Sequence, residues 1–186
     1  MMKIVLHEPG IPLNTGNIGR TCAATNTELH MIRPYGFRIS EKEIRRAGMD
    51  YWEKIDLHEY IDYADFLKQH PEIVFNKASG TSKGPKLWFA TTKAVQSYSD
   101  AVFGAEDFIM LGNESRGIPE EILIEHPEAC IRIPMWGDIR SLNLSNAAAI
   151  ILYEALRQNG FENMEKQGRL HRLDWNLQRK PADDRY

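Results

Sequence analysis

The stretch Ile133–Glu154, IPMWGDIRSLNLSNAAAIILYE, joins a polar loop to a long apolar segment. Ser141 and Asn143 are residue types that bond to free backbone groups where a helix begins. No helix breaker follows until Gly160, and apolar residues occupy most positions from 144 to 156. The stretch therefore predicts a helix that is largely buried until Glu154, with a polar entrance suited to holding a ligand.

The whole chain has the size and composition of a single soluble domain. It contains 186 residues, of which 42% are hydrophobic and 10% aromatic, as is ordinary for a globular protein. It lacks an apolar run of about 18 residues, and Glu8 and Pro9 follow the N-terminus too closely for a signal-peptide core. The sequence therefore predicts a cytoplasmic protein. Cys22 and Cys130 lie in apolar segments, which favours two reduced thiols over a disulfide.

The charge balance does not by itself indicate a polyanionic partner. The formal net charge is −3, so nucleic-acid binding would need a local basic patch. Two stretches are candidates, and their basic residues are Lys77, Lys83, Lys86 and Lys93 in the first and Arg33, Arg38, Lys42, Arg45 and Arg46 in the second. Charge alone favours the interpretation that both are solvated faces.

Strand and helix patterns alternate along the chain. Strands are predicted at 3–7, 29–32, 54–57, 73–76, 87–91, 107–111 and 130–133, and helices at 14–24, 41–47, 61–69, from 118 onward and at 144–156. This alternation predicts an α/β domain with a mainly parallel sheet flanked by helices. Ligands of such sheets bind beyond the carboxyl ends of the strands, where polar loops follow Leu6, Leu111 and Ile133.

Several common kinds of site are disfavoured by their missing motifs. The segment GNESRG at 112–117 lacks the Lys and Ser or Thr of a phosphate loop, and no dinucleotide-binding glycine pattern follows the first strand. The six histidines show no paired spacing, so no metal site is predicted. Ser141 and Ser145 lack the flanking glycines of a hydrolase nucleophile. The segment Asn14–Asn17 is expected at a helix N-terminus, where free backbone donors can face an anion.

Five segments occur in an order that matches a known family. They are HEPGIPLNTGNIGR (7–20), RRAGMDYW (45–52), FATTKA (89–94), LGNESRGIP (111–119) and IRIPMWGDIRSLNLSNAAAIILYEALRQ (131–158). In these segments the chain resembles the SPOUT class of RNA methyltransferases, and within it the minimal tRNA ribose 2′-O-methyltransferases that act at the wobble nucleotide. The resemblance implies a methyltransferase domain at 1–160, and it leaves 161–186 as a C-terminal tail outside the family pattern.

The resemblance also implies particular partners and site residues. It implies a deep C-terminal trefoil knot, a homodimer, tRNA as substrate, S-adenosylmethionine as cofactor and no metal. The residues expected to contact the cofactor are Ala90, Thr91, Gly112, Ile133 and Ser141. The group expected to act on the ribose comprises Asn14, Arg20, Glu114, Ser141 and Asn143.

Arg20 is the family's candidate for activating the ribose hydroxyl. Deprotonating an arginine with a pKa of about 12.5 to 13.8 costs roughly 7 to 9 kcal/mol at neutral pH, whereas a general base returns only about 3 to 5 kcal/mol. We therefore expect Arg20 to act as a cationic donor to the developing alkoxide. Glu114 is expected to orient Arg20 or Arg116 through an ion pair, and direct contact of Glu114 with the substrate is the alternative.

Two alternatives remain open from the sequence. The first is a SPOUT ribose methyltransferase for another RNA site, although family members with such targets usually carry extra domains. The second is a non-catalytic RNA-binding or assembly factor of the same fold. The presence of Arg20, Glu114 and Asn143 favours an enzyme.

Overall fold

The structure, a computed structural model, describes residues 1–35, 37, 52–75, 84–172 and 175. Its strands are β1 Lys3–His7, β2 Glu28–Ile32, β3 Leu57–Tyr60, β4 Leu87–Ala90, β5 Gln96–Ser97, β6 Phe108–Leu111 and β7 Cys130–Arg132. Its α-helices are α1 Pro12–Thr25, α2 Tyr63–Gln69, α3 Glu120–Glu125 and α4 Leu144–Gln158. Short 3₁₀ helices occupy Trp52–Lys54, Tyr98–Asp100 and Pro127–Ala129.

The seven strands form one sheet in the order β3-β2-β1-β6-β4-β7-β5. Every neighbouring pair in this order is parallel, which confirms the predicted α/β fold with a mainly parallel sheet. Leu6 of β1 is in register with Leu111 of β6. The loops that follow these two strands therefore leave the sheet side by side.

Apolar clusters cover both faces of the sheet. Successive strand residues point to opposite faces, so Ile4 joins one cluster and Val5 joins the other. The first cluster contains buried residues of α1 and α4, and the second contains Phe66 of α2 and Leu123 of α3. Burial on both faces explains why β1 and β6 read as continuous apolar runs.

Helix α4 begins where the sequence predicts, but it is less completely buried. Asn143 caps it by accepting hydrogen bonds from the backbone N–H groups of Ser145 and Asn146. The expectation that little of the helix meets solvent before Glu154 is wrong for this chain, because Ile150 is 38% exposed and Tyr153 is 44% exposed. One face of the helix packs on the sheet, and a stripe on the other face remains open.

Three other local predictions differ from the structure. The segment 54–57 was predicted as a strand, but a 3₁₀ helix ends at Lys54 and β3 begins only at Leu57. Residues 73–75 are not part of a strand, although Ile73 is buried and Phe75 is partly buried in the second apolar cluster. The predicted helix 61–69 begins at Tyr63, because Asp62 caps it by accepting from Asp65 N–H. The predicted helix 41–47 lies outside the described residues.

Two further predictions, about the cysteines and about membrane-spanning segments, can be compared with the structure. Cys22 and Cys130 are both buried and free, as expected for reduced thiols. Burial raises the pKa of the Cys22 thiol to about 12, which keeps it protonated. Among the helices in the described part of the chain, none is long and apolar enough to cross a membrane.

The packing of α4 predicts a large effect of one core substitution. Leu152 is completely buried in the cluster between α4 and the sheet. Leu152→Ala should lower the free energy of unfolding by about 2 to 5 kcal/mol, because it removes buried methyl groups and leaves a cavity. Urea unfolding measures the change. Ile124→Ala is the matched control, since Ile124 is 79% exposed on α3, and an equal loss in both variants would contradict the assigned core.

Candidate active site

A cavity of about 450 Å³ lies beyond the carboxyl ends of β4, β6 and β7. Its volume is within the range of about 300 to 1,000 Å³ that is usual for small-molecule sites. Its wall includes all five residues predicted to contact the cofactor, namely Ala90, Thr91, Gly112, Ile133 and Ser141. Leu111, Ile118, Ile131, Leu144 and Ile151 add an apolar surface to the same cavity.

The loop after β6 is folded closely back on itself at the cavity. Asn113 and Gly117 form an antiparallel bridge, and Gly117 has a positive φ of 73°. A Cβ atom at Gly112 would collide with the backbone of Gly117 and Ile118. Glycine is therefore required at position 112 for the backbone to approach itself and line the cavity.

A chain of hydrogen bonds connects this loop to two helices. Glu114 accepts from the backbone N–H groups of Gly10 at 2.8 Å and Ile11 at 3.2 Å, and from Asn14 Nδ2 at 3.0 Å. Asn14 Oδ1 accepts from Asn143 Nδ2 at 2.9 Å. Asn143 Oδ1 in turn caps α4. The chain thus joins the entrance of α1, the loop after β6 and the entrance of α4.

The order of donors and acceptors in this chain follows from Glu114. A carboxylate only accepts, so Asn14 must turn its NH₂ group toward Glu114 and its oxygen toward Asn143. Asn143 must then present its NH₂ group to Asn14, which leaves its oxygen for the first N–H groups of α4. Each side chain therefore has a single favourable orientation.

The N-terminus of α1 holds an anion that belongs to the protein itself. The sequence predicts free backbone donors there for a ligand, but the donors just before α1, on Gly10 and Ile11, bind the Glu114 carboxylate. The expected pairing of Glu114 with Arg116 is wrong, because Arg116 Nη2 donates to Glu8 Oε2 at 2.7 Å. Glu114 is engaged by the start of α1 instead.

Four of the five residues predicted to act on the ribose come together. Asn14, Glu114, Ser141 and Asn143 all line the cavity, but the described lining does not include Arg20. Arg20 is an exposed residue of α1. It lies six residues beyond Asn14, which corresponds to about 9 Å along the helix axis. The role of Arg20 in catalysis stays a prediction.

Basic side chains near the cavity were not singled out as a group in the sequence. The lining includes Lys93, Arg116, Arg132 and Arg140, and Glu114 is the acidic residue among its described members. Lys93 Nζ pairs with Glu120 at 2.7 Å. The sequence signal that could have identified this basic group is the position of Arg132 and Arg140 on either side of the loop after β7.

The two basic stretches predicted from the sequence are only partly described. Arg33 lies 3.6 Å from Glu59, and Lys86 Nζ lies 5.0 Å from the centre of the Trp88 ring. The other members outside the described residues are Arg38, Lys42, Arg45, Arg46, Lys77 and Lys83.

Comparison with known proteins identifies the class to which this fold and cavity belong. Residues 1–153 match the SpoU rRNA Methylase family, so the chain belongs to that family. This confirms the SPOUT-class methyltransferase that the five ordered segments indicate, and it makes the protein an enzyme of the methyltransferase class.

Individual relatives are more specific. The tRNA (cytidine(34)-2'-O)-methyltransferase of Yersinia pestis is 43% identical over 162 residues, covering 87% of this chain and 96% of that protein. A solved structure concerned with the 2-OH methylation of C/U34 on tRNA is 39% identical, with a TM-score of 0.76 over 86% of this chain and 97% of that chain. An AdoMet-bound rRNA methyltransferase from Sinorhizobium meliloti is 25% identical, with a TM-score of 0.69 over 84% and 56%, respectively.

The hydrogen bonds of Glu114 predict that its charge is needed for stability. Glu114→Gln should lower the free energy of unfolding by about 1 to 3 kcal/mol, because the new NH₂ group would face backbone or amide donors. Urea unfolding measures the change, and Glu121→Gln on α3 is the exposed control, expected to remain within about 0.5 kcal/mol. Equal stability of the Glu114 variant and the native protein would contradict the arrangement.

Proposed function

We propose that the protein transfers a methyl group from S-adenosylmethionine to the ribose 2′-hydroxyl of the wobble nucleotide of tRNA. The nucleotide is a cytidine or uridine at position 34. The observation that carries the proposal is the similarity to the Yersinia pestis enzyme over most of both chains. The cavity adds support, because it has room for a small cofactor and is bordered by the residues expected to bind it.

The residues that line the cavity fit the proposed cofactor. Backbone groups at Ala90, Thr91, Gly112 and Ile133, with Ser141, would hold its polar parts, and the apolar part of the wall would receive the adenine ring. The AdoMet-bound relative supports this assignment. When bound, the cofactor supplies an electrophilic methyl group.

The polar residues then divide into two roles. One role belongs to Asn14, Glu114 and Asn143, whose side chains form hydrogen bonds with one another and with the helix entrances. These three residues therefore position the loops. We assign the approach to the ribose to Arg20 and Ser141. Placing the hydroxyl in line with the methyl group can lower the barrier by several kcal/mol, up to about 7 to 11. Arg20 stabilises the developing alkoxide as a cationic donor, and solvent or a phosphate oxygen takes the proton.

The basic residues at the cavity supply a reason for RNA to approach it. Arg132 and Arg140 line the cavity together with Lys93 and Arg116. Phosphate contacts of this kind position a nucleic acid without reading its sequence. The two predicted basic stretches would extend the contact, and the net charge of −3 makes such local patches necessary. A tRNA substrate also favours a cytoplasmic place of action.

Helices α1 and α4 present a surface suited to a second copy of the chain. They pack against each other, and their exposed apolar residues include Leu13 at 64%, together with Ile150 and Tyr153. Exposed apolar residues on adjacent elements are typical of interaction surfaces. A homodimer would cover this surface and bring the basic residues of two chains to one tRNA.

We also infer that the C-terminal part is threaded as a trefoil knot. The chain passes from β4 to β5 at one edge of the sheet, returns to β6 on the other side of β4, and then places β7 between β4 and β5. Helix α4 afterwards packs near α1, close to the loop after β6. These crossings support a threaded arrangement.

Mapping of the methylated nucleotide tests the proposed activity. Bulk tRNA incubated with the protein and S-adenosylmethionine should gain a ribose methyl at position 34, located by mass spectrometry. Arg20→Lys should reduce turnover strongly, because lysine cannot make the two parallel contacts of a guanidinium. Methylation at another nucleotide would favour a different RNA target, and failure to bind the cofactor in calorimetry would favour a non-catalytic factor.

The proposed homodimer is tested separately by Ile150→Glu. A buried charge without a partner is unfavourable, so the variant should sediment as a monomer under conditions in which the native protein is a dimer. Ile124→Glu is the matched control on exposed α3 and should leave the dimer intact. A dimeric Ile150 variant would place the interface elsewhere.

A further inference from the structure

Two short sequence patterns form a cluster on β2 and beside β3, away from the cavity. They are Glu28-Leu29-His30 and Asp56-Leu57-His58. His30 and His58 are register partners in the parallel pair, and residues two apart on a strand share a face. Glu28, His30, Asp56 and His58 therefore lie on one face as two adjacent acid–histidine pairs. Spacing along the chain does not reveal this pairing, because it joins neighbours across two strands.

The spacing of the four side chains resembles that of ligands around a metal ion. Glu28 Oε2 lies 3.2 Å from His30 Nε2 and 3.9 Å from His58 Nε2, and Asp56 Oδ1 lies 3.0 Å from His58 Nε2. Zinc bonds of about 2.0 to 2.1 Å in a tetrahedron separate neighbouring ligands by about 3.3 to 3.4 Å. The observed separations are close to this value without a large shift of the backbone.

One nitrogen of the cluster lacks a hydrogen-bond partner. His58 Nε2 is buried and makes no hydrogen bond, although Asp56 Oδ1 is only 3.0 Å away. Buried polar atoms are almost always paired. The imidazole therefore places a nitrogen that makes no hydrogen bond within 4 Å of two carboxylates.

Next to His58, a series of hydrogen bonds also has one hydrogen too few. Four contacts run in series from Glu28 through His30, Tyr60 and His70 to Glu72, at 3.2, 2.7, 2.7 and 2.9 Å. Each contact needs one hydrogen, but ionised carboxylates supply none, and two neutral imidazoles and one phenol supply one each. Three hydrogens serve four contacts, so the series requires one more positive centre, either a proton or a metal ion.

One arrangement of the hydrogens brings this deficit to the cluster. When His30 donates its Nδ1–H to Tyr60 and Tyr60 donates its hydroxyl hydrogen to His70, the contact left without a hydrogen joins His30 Nε2 and Glu28 Oε2. That contact lies beside the unpaired Nε2 of His58.

We propose that Glu28, His30 and His58 bind a divalent transition-metal ion, with Asp56 as a fourth ligand and Zn²⁺ as the best match. Mixed imidazole and carboxylate ligands suit zinc. His30 would donate its Nδ1–H to Tyr60, as metal-bound histidines usually donate their second nitrogen to a partner.

Binding requires one local adjustment. The His30 and His58 rings stack with centroids 4.8 Å apart and planes 16° apart, so their lone pairs do not yet converge. His30 is fixed by Tyr60 and by burial, whereas the His58 side chain is 43% exposed. His58 is therefore the ligand that turns about its Cβ–Cγ bond.

The charge of the cluster favours a cation, and its place indicates a structural role. Glu28 and Asp56 provide two carboxylates, while the ammonium of Lys3 is directed to two backbone carbonyl groups. Strand β3 is at the edge of the sheet and pairs only with β2 in the described order. A metal ion held by both elements would fasten this edge independently of methyl transfer.

Metal titration of the full chain tests the proposal. Protein freed of metal with a chelator is titrated with Zn²⁺ against a chromophoric chelator, and Co²⁺ is used to record the visible bands of a tetrahedral site. The native protein should take up one equivalent and gain thermal stability, because the ion binds the folded state. His58→Gln should weaken binding by at least about tenfold, and Tyr60→Phe should weaken it by about 10- to 100-fold.

His171→Gln is the matched control, because His171 is exposed and outside the cluster. It should retain native zinc affinity and the native Co²⁺ spectrum. Native affinity in His58→Gln would place the ion elsewhere and overturn the proposal. Absence of uptake by the native protein would also overturn it, and would mean that an extra proton completes the series from Glu28 to Glu72.

Discussion

The hydrogen bonds among Glu114, Asn14 and Asn143 are the constraint on which the candidate active site depends. They join residues that are 100 and 129 positions apart in the chain. Hydrogen bonds to a charged group contribute about 1.5 to 3 kcal/mol each, more than neutral ones. The loops after β6 and β7 carry the proposed cofactor contacts, and these bonds hold both loops to the start of α1.

This arrangement changes which groups are available to a ligand. Helix N-termini commonly bind anions through free N–H groups, and both α1 and α4 begin beside the cavity. Glu114 occupies the donors before α1, and Asn143 occupies the first donors of α4. We therefore propose that loop backbone and Ser141 hold the cofactor. The two helices fix the positions of the loops, and the loops provide the proposed contacts with the cofactor.

The comparison between sequence and structure shows which information is local. The apolar runs of β1 and β6 and the Asn143 cap were predictable, because burial and capping depend on residues close in sequence. The start of β3 at Leu57 and the irregular backbone of residues 73–75 were not, since tertiary packing decided both. Four of the residues that the family pattern predicts to act on the ribose line one cavity. It could not reveal that Glu114 binds the start of α1.

The same distinction explains why the histidine cluster was missed. Spacing along the chain detects metal ligands within one helix or loop, but Glu28-Leu29-His30 and Asp56-Leu57-His58 become neighbours only when β2 and β3 pair in one particular register. A shift of one residue would turn either pair to the opposite face.

Helix α4 links the fold, the site and the proposed dimer through its different faces. Ala148, Ile151 and Leu152 are buried against the sheet, whereas Ile150 and Tyr153 face outward. Its first turn is fixed by Asn143, which also binds Asn14 of α1. Leu13, the neighbour of Asn14, belongs to the exposed surface of the same helix pair. Covering that surface would restrict α1 and α4 together, and thereby hold Asn14 and Asn143 in the geometry that positions the loops.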